Sequence, residues 1–109
     1  MDPMSDDRIA FDELARKIAP GTAYTLLHYL YLPRREDAAI AGASLRARGF
    51  GVEERRGADG INWLVLGRHE VIPSLDVIVA TRKLMQQIAR CYAGEYDGWE
   101  ADLRTEALI

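Results

Sequence analysis

Apolar positions along the chain recur with two periods, one near 3.6 and one of 2, and the switches between them divide it into elements. Ile9, Leu14 and Ile18 stand at helical spacing behind an acidic first turn, which predicts a leading helix over 6–19, stopped by Pro20-Gly21. From Thr22 to Leu32 the pattern becomes strict alternation. Tyr24, Leu26, His28, Leu30 and Leu32 fall on one face of a strand, and Thr25, Leu27, Tyr29 and Tyr31 on the other. Pro33 ends the strand. Residues 34–48 then carry Ala38, Ala41, Gly42 and Leu45, a stripe of small residues that predicts a helix packed closely on something flat, with Gly49 as its cap. Phe50–Arg56 and Ile61–His69 are two further strands, joined as a hairpin by Gly57-Ala58-Asp59-Gly60. Ser74 caps a second long helix to about Ala93, whose stripe is Ile78, Thr81, Leu84, Met85, Ile88 and Tyr92, and Gly94 closes it. Residues 95–101 form a last strand. Its Asp97-Gly98 suits a bulge or kink better than a hairpin, because the residues beyond it do not alternate.

After the leading helix the order is therefore βαββαβ, which predicts an α+β, ferredoxin-like sandwich. Its four-stranded antiparallel sheet runs fourth, first, third, second, with two helices on one face and a short N-terminal helix besides. The expected divisions are an N-terminal helical segment over 1–21, the sandwich over 22–101 and a short tail over 102–109. The second sheet face stays open unless the leading helix or a second copy covers it. Leu27, Tyr29 and Tyr31 belong to that face, which makes it a candidate contact surface and makes a homodimer through paired open faces an allowed assembly.

Composition narrows the function. A chain of 109 residues, 49% hydrophobic and 28% charged, builds one domain with an ordinary core. Its single cysteine excludes an internal disulfide and fits a reducing compartment, so the cytoplasm is expected. No leading signal region and no apolar run of spanning length stands in it, so no membrane association is expected. The net charge of −3 gives no global attraction for nucleic acid. Charge is nonetheless unevenly spread: residues 1–15 carry one base and five acids, residues 16–56 eight bases and four acids, and residues 94–109 one base and five acids.

Candidate chemistry is thin. His28, on the predicted core face, reads as a buried imidazole bonded to a neighbour, and His69 beside Glu70 as a surface loop residue. Cys91 reads as a small packed hydrophobe, and Asp6-Asp7 and Glu53-Glu54 as solvated charges. No metal-ligand spacing and no phosphate-cradling turn is present. No catalytic residue, metal or cofactor is expected. Tyr29 and Tyr31, with Arg34, Arg35, Arg55 and Arg56 near them in sequence, leave a single-stranded RNA-binding module as the alternative, although the third strand lacks the aromatic RNA-recognition pattern. A small-ligand sensor is a third reading.

The densest signal is Gly94-Glu95-Tyr96-Asp97-Gly98-Trp99-Glu100, two large aromatics around a flexible glycine and three acids. Aromatics beside acids at a sheet edge serve as interface anchors, or Tyr96 and Trp99 simply close the core while the acids face water. In this motif the chain resembles the regulator of ribonuclease E activity B (RraB-like) family. His28-Tyr29-Leu30-Tyr31-Leu32-Pro33, Gly49-Phe50-Gly51-Val52, Trp63-Leu64-Val65 and the Leu84-Met85 helix follow the family's order over about residues 22–100. The resemblance implies a ferredoxin-like sandwich from a bacterial cytoplasm that binds ribonuclease E, or another RNA-processing protein, and lowers its activity without chemistry of its own. Direct contact with RNA is the lesser expectation. The residues expected to meet such a protein are Tyr29, Tyr31, Glu95, Tyr96, Asp97, Gly98, Trp99 and Glu100.

Overall fold

The computed structural model describes residues 3–103, so the predicted tail from residue 104 onward lies outside the described residues. The elements are α1 (Pro3–Ala15), β1 (Tyr24–Leu32), α2 (Arg35–Ala47), β2 (Gly51–Arg56), β3 (Trp63–Val71), α3 (Leu75–Cys91) and β4 (Glu95–Asp102). The strands form one antiparallel sheet in the order β2-β3-β1-β4, as the split βαββαβ pattern requires.

β1 is the spine of the sheet, flanked by β3 and β4, and its burial alternates residue by residue as the sequence predicts. Leu26, Leu30 and Leu32 are wholly buried beneath the helices, and each contributes roughly 2 kcal/mol of apolar burial. Ala38, Ala41 and Leu45 of α2 lie against Leu30, Leu32 and Val65, Gly42 of the same stripe faces Glu54, and the small residues of the stripe let the helix approach the sheet. Gly49 closes α2 in a left-handed conformation (φ 94°), while Phe50 N–H reaches back to the Leu45 carbonyl. α3 starts at Ser74, whose hydroxyl accepts the Val77 N–H at 3.1 Å.

Element ends differ from the sequence expectation for identifiable reasons. α1 stops at Ala15 because the Lys17 N–H bonds the Leu14 carbonyl, a tighter turn that brings Ile18 into the cluster of Leu14, Leu26 and Ile78. β3 starts at Trp63 rather than Ile61, since the Asp59 carboxylate takes the N–H groups of Ile61 and Asn62 at 2.9 Å each. It continues to Val71, past His69. The end of α3 departs most. Ala93, not Gly94, adopts the left-handed conformation (φ 55°), and Gly94 N–H bonds the Ala89 carbonyl. Glycine is required one place later because a Cβ at position 94 would collide with the Tyr31 carbonyl oxygen and the Leu32 Cδ2.

α1 packs beside α3, and its Leu14 and Phe11 meet Leu26, Ile78 and Trp99. All three helices thus cover the same sheet face, and α1 leaves the opposite face uncovered.

Candidate functional site

The helix-free face is built by register. Thr25, Leu27, Tyr29 and Tyr31 of β1 stand opposite Glu70, Arg68, Leu66 and Leu64 of β3, with Glu53 and Arg55 of β2 beyond and Glu100 and Glu95 of β4 on the other side. Its centre is apolar, with Leu64 and Leu66 nearly buried under half-exposed tyrosines. The Tyr29 hydroxyl donates to Glu100 Oε1 at 2.8 Å, and burial followed by this carboxylate raises the phenol above its ordinary pKa. At the corner where β4 begins, Tyr31, Asn62, Gly94 and Glu95 line an open hollow of about 430 Å³. By register the face carries five carboxylates (Glu53, Glu70, Glu95, Glu100 and Asp102) against two guanidiniums, Arg55 and Arg68, and Arg55 is itself paired with Glu53 at 3.1 Å.

The Gly94–Glu100 motif sorts itself between the two faces through a bulge. Opposite β1 the register shifts between His28 and Leu30, which face Trp99 and Tyr96, and Gly98 in the bulge has φ 106°. Without the extra residue, positions 96 and 99 would point to opposite faces, since side chains alternate along a strand. With it, both rings turn to the helix side while Glu95 and Glu100 stay on the helix-free face and Asp97 sits exposed at the edge.

On the helix side a polar network holds the two aromatics. Asp7 of α1, 1% exposed, receives Arg82 Nε and Nη2 at 2.7 and 2.9 Å, a two-point grip, and the Trp99 indole N–H at 3.3 Å. Arg82 lies 5.0 Å from the Tyr96 ring centre. The Tyr96 hydroxyl meets His28 Nδ1 at 2.9 Å, and His28 Nε2 meets His69 Nε2 at 3.0 Å. In that last pair one nitrogen donates and the other accepts, so the accepting ring is neutral in this arrangement. Burial above all, then His69 and Arg82, pushes the His28 imidazole down to about 3, and burial lowers His69 as well. Burial raises the Tyr96 phenol. His69 stacks on Phe50 with ring centres 4.6 Å apart.

His28 is therefore the bonded core imidazole its alternation predicts. His69 is corrected: it is half-buried within β3, paired against Leu26, and not a loop residue. Cys91 is also corrected, being exposed at the end of α3 rather than packed. Asp7 is not solvated, and it shares the stripe Asp7, Phe11, Leu14, Ile18; that position was the available sign that its carboxylate is buried. Of the residues expected to meet a partner, Tyr29, Tyr31, Glu95 and Glu100 share the helix-free face, Asp97 and Gly98 form the edge bulge, and Tyr96 and Trp99 lie beneath. The arginines thought to accompany the tyrosines mostly go elsewhere: Arg35 and Arg56 flank Trp63 at 5.4 and 5.0 Å, and Arg34 pairs with Glu36. Among the described residues no group of three potential metal ligands comes together, and no helix is long and apolar enough to cross a membrane.

The chain is a small α+β sandwich that spends its buried polar groups on holding a strand and offers a broad tyrosine-lined face. The family model for regulator of ribonuclease activity B, RraB, matches residues 6–101, and the chain belongs to the RraB family. That membership implies a regulator that inhibits ribonuclease E activity and is not itself an enzyme. No curated protein matches the chain at a significant level.

Proposed function

We propose that this chain acts in the cytoplasm by docking the helix-free face of its sheet onto ribonuclease E and so lowering the nuclease's activity, with no bond made or broken by its own residues. One observation carries the reading: the Asp97-Gly98 bulge combines with β1 to gather Tyr29, Tyr31, Glu95 and Glu100 on a face that no helix covers. Tyrosine joins a large apolar body to a polar tip and loses little conformational freedom on binding, which suits Tyr29 and Tyr31 as anchors. The carboxylates steer a basic surface into register. Tyr96 and Trp99 act as positioning residues, holding β4 from below. Asp97 and Gly98 shape the edge.

The single-stranded RNA alternative needs a face that attracts phosphate, and five carboxylates against two guanidiniums make one that repels it. The test is a cleavage assay with ribonuclease E and a labelled RNA, titrated with wild-type chain and with the Tyr29→Ala/Tyr31→Ala double variant. The wild type inhibits; the double variant, still folded by circular dichroism, needs at least about thirtyfold more protein, the loss of one strong anchor. Equal inhibition by a folded double variant refutes the docking face. Inhibition that vanishes whenever RNA is in excess over ribonuclease E assigns the effect to substrate capture instead.

A further inference from the structure

The sheet has two outer strands, and they are finished differently. A strand edge exposes unpaired N–H and C=O groups, so a free edge recruits another strand unless something guards it. β2 is guarded. Arg46 of α2 reaches across to donate to the Val52 carbonyl at 3.3 Å and to Glu54 at 2.8 Å, and Arg55 closes on Glu53. α2 comes so near at Gly42 that a Cβ there would meet the Glu54 carboxylate. The carboxylates of β2 are thereby neutralised on the spot.

Among the described residues, Glu95, Asp97 and Glu100 of β4 are held by no such arginine. This strand is eight residues long, against six for β2, and carries no basic residue. Glu95 and Asp97 are exposed and make no ion pair among the described residues, while Glu100 takes only the Tyr29 hydroxyl. The bulge interrupts the strand, leaving Trp99–Asp102 as the unbroken template with Glu95–Tyr96 beyond it. Across that template the two faces differ in kind: Glu100 and Asp102 turn to the helix-free side, Trp99 and Ala101 to the helix side.

We infer that the segment of ribonuclease E seated here is an extended, basic one that pairs with β4 as a fifth strand, an inference that rests on the docking reading above. Main-chain hydrogen bonds to the free edge supply affinity, and alternation supplies specificity. Every second residue of the added strand is Lys or Arg, set against Glu95 and Glu100, and the residues between are apolar, set beside Tyr96 and Trp99. Opposite charges on neighbouring strands attract, and like charges repel. A second copy of this chain placing its own β4 there would set carboxylates against carboxylates, so the edge favours a foreign strand over self-pairing.

Amide hydrogen exchange of the full chain, alone and with ribonuclease E, tests the inference together with two twelve-residue peptides of identical composition. One peptide alternates Lys with Val, and the other gathers its Lys into a block. Added protection is expected across residues 95–102 in the complex, with the alternating peptide binding at least about tenfold more tightly than the blocked one and weakening as salt rises. If ribonuclease E binds and is inhibited while residues 95–102 gain no protection, strand addition is overturned and the docking face survives. If ribonuclease E does not bind at all, both fall. Protection of residues 95–102 that grows with the chain's own concentration, with a dimer in sedimentation, assigns the edge to a second copy and overturns the inference.

Discussion

Acid should unfold this protein through its histidine pair, and the size of the effect comes from the burial of His28. Its imidazole is wholly buried and held to about 3, against 6.5 for a free histidine. A group whose pKa is lowered by folding stabilises fully above its unfolded value and loses that contribution as the pH falls, because the unfolded chain takes up a proton that the native state refuses. The window runs from 6.5 down to 3. At pH 5 the unfolded imidazole is protonated and the native one is not, which costs about 2 kcal/mol, a sizeable part of a typical small domain's stability. His69, lowered in the same direction, adds to it. Urea unfolding followed by tryptophan fluorescence at pH 7.5 and pH 5.0 should show this loss. In His28→Leu, which starts less stable because Tyr96 and His69 lose their partner, the fall between those pH values should shrink by about 2 kcal/mol. Should the variant fail to fold, proton NMR of the wild type decides: the His28 ring must not titrate above about pH 4. A His28 ring titrating near its ordinary value, or the same pH slope in wild type and folded variant, refutes the reasoning.

Three further outcomes rest on the same contacts. Asp7→Asn leaves Arg82 without its countercharge in a largely buried site and should cost about 3 kcal/mol in urea unfolding, with a changed emission of Trp99 as the charged acceptor of its indole N–H becomes a neutral amide. Ala93→Gly relieves a left-handed alanine and should raise stability by up to about 1 kcal/mol, whereas Gly94→Ala, next door, must push into Tyr31 and Leu32 and should lower the melting temperature sharply. Gly98→Val forces a β-branched residue into φ 106° and should destabilise by roughly 2 kcal/mol, and in any folded fraction it should weaken ribonuclease E inhibition, because the bulge sets which face Glu95 and Glu100 occupy.

Much of the architecture was legible because local pattern and global packing agree. The alternation of Tyr24 to Leu32, the small stripe of α2 and the Ser74 cap each state their own surroundings. The helix-free face was legible for the same reason, since Tyr29 and Tyr31 are out of phase with the buried leucines. What was not legible depends on register between distant strands. Whether Tyr96 and Trp99 anchor a partner or close the core could not be read from composition, because a single bulged residue reverses the facing of everything beyond it. The His28–His69 contact joins residues 41 apart, and Asp7 reaches Arg82 and Trp99 across 75 and 92 residues; such pairs leave no periodic trace. Asp7 still lay in an apolar stripe, and an acid in that position is the kind of local conflict that signals a buried partner.

The most direct measurement is hydroxyl-radical footprinting of the chain with and without ribonuclease E, read at individual tyrosines. Tyr29 and Tyr31 should become protected while Tyr92, in the groove between α2 and α3, keeps its reactivity. Protection confined to Tyr92 and the outer helical surface, with Tyr29 and Tyr31 unchanged, would contradict the account.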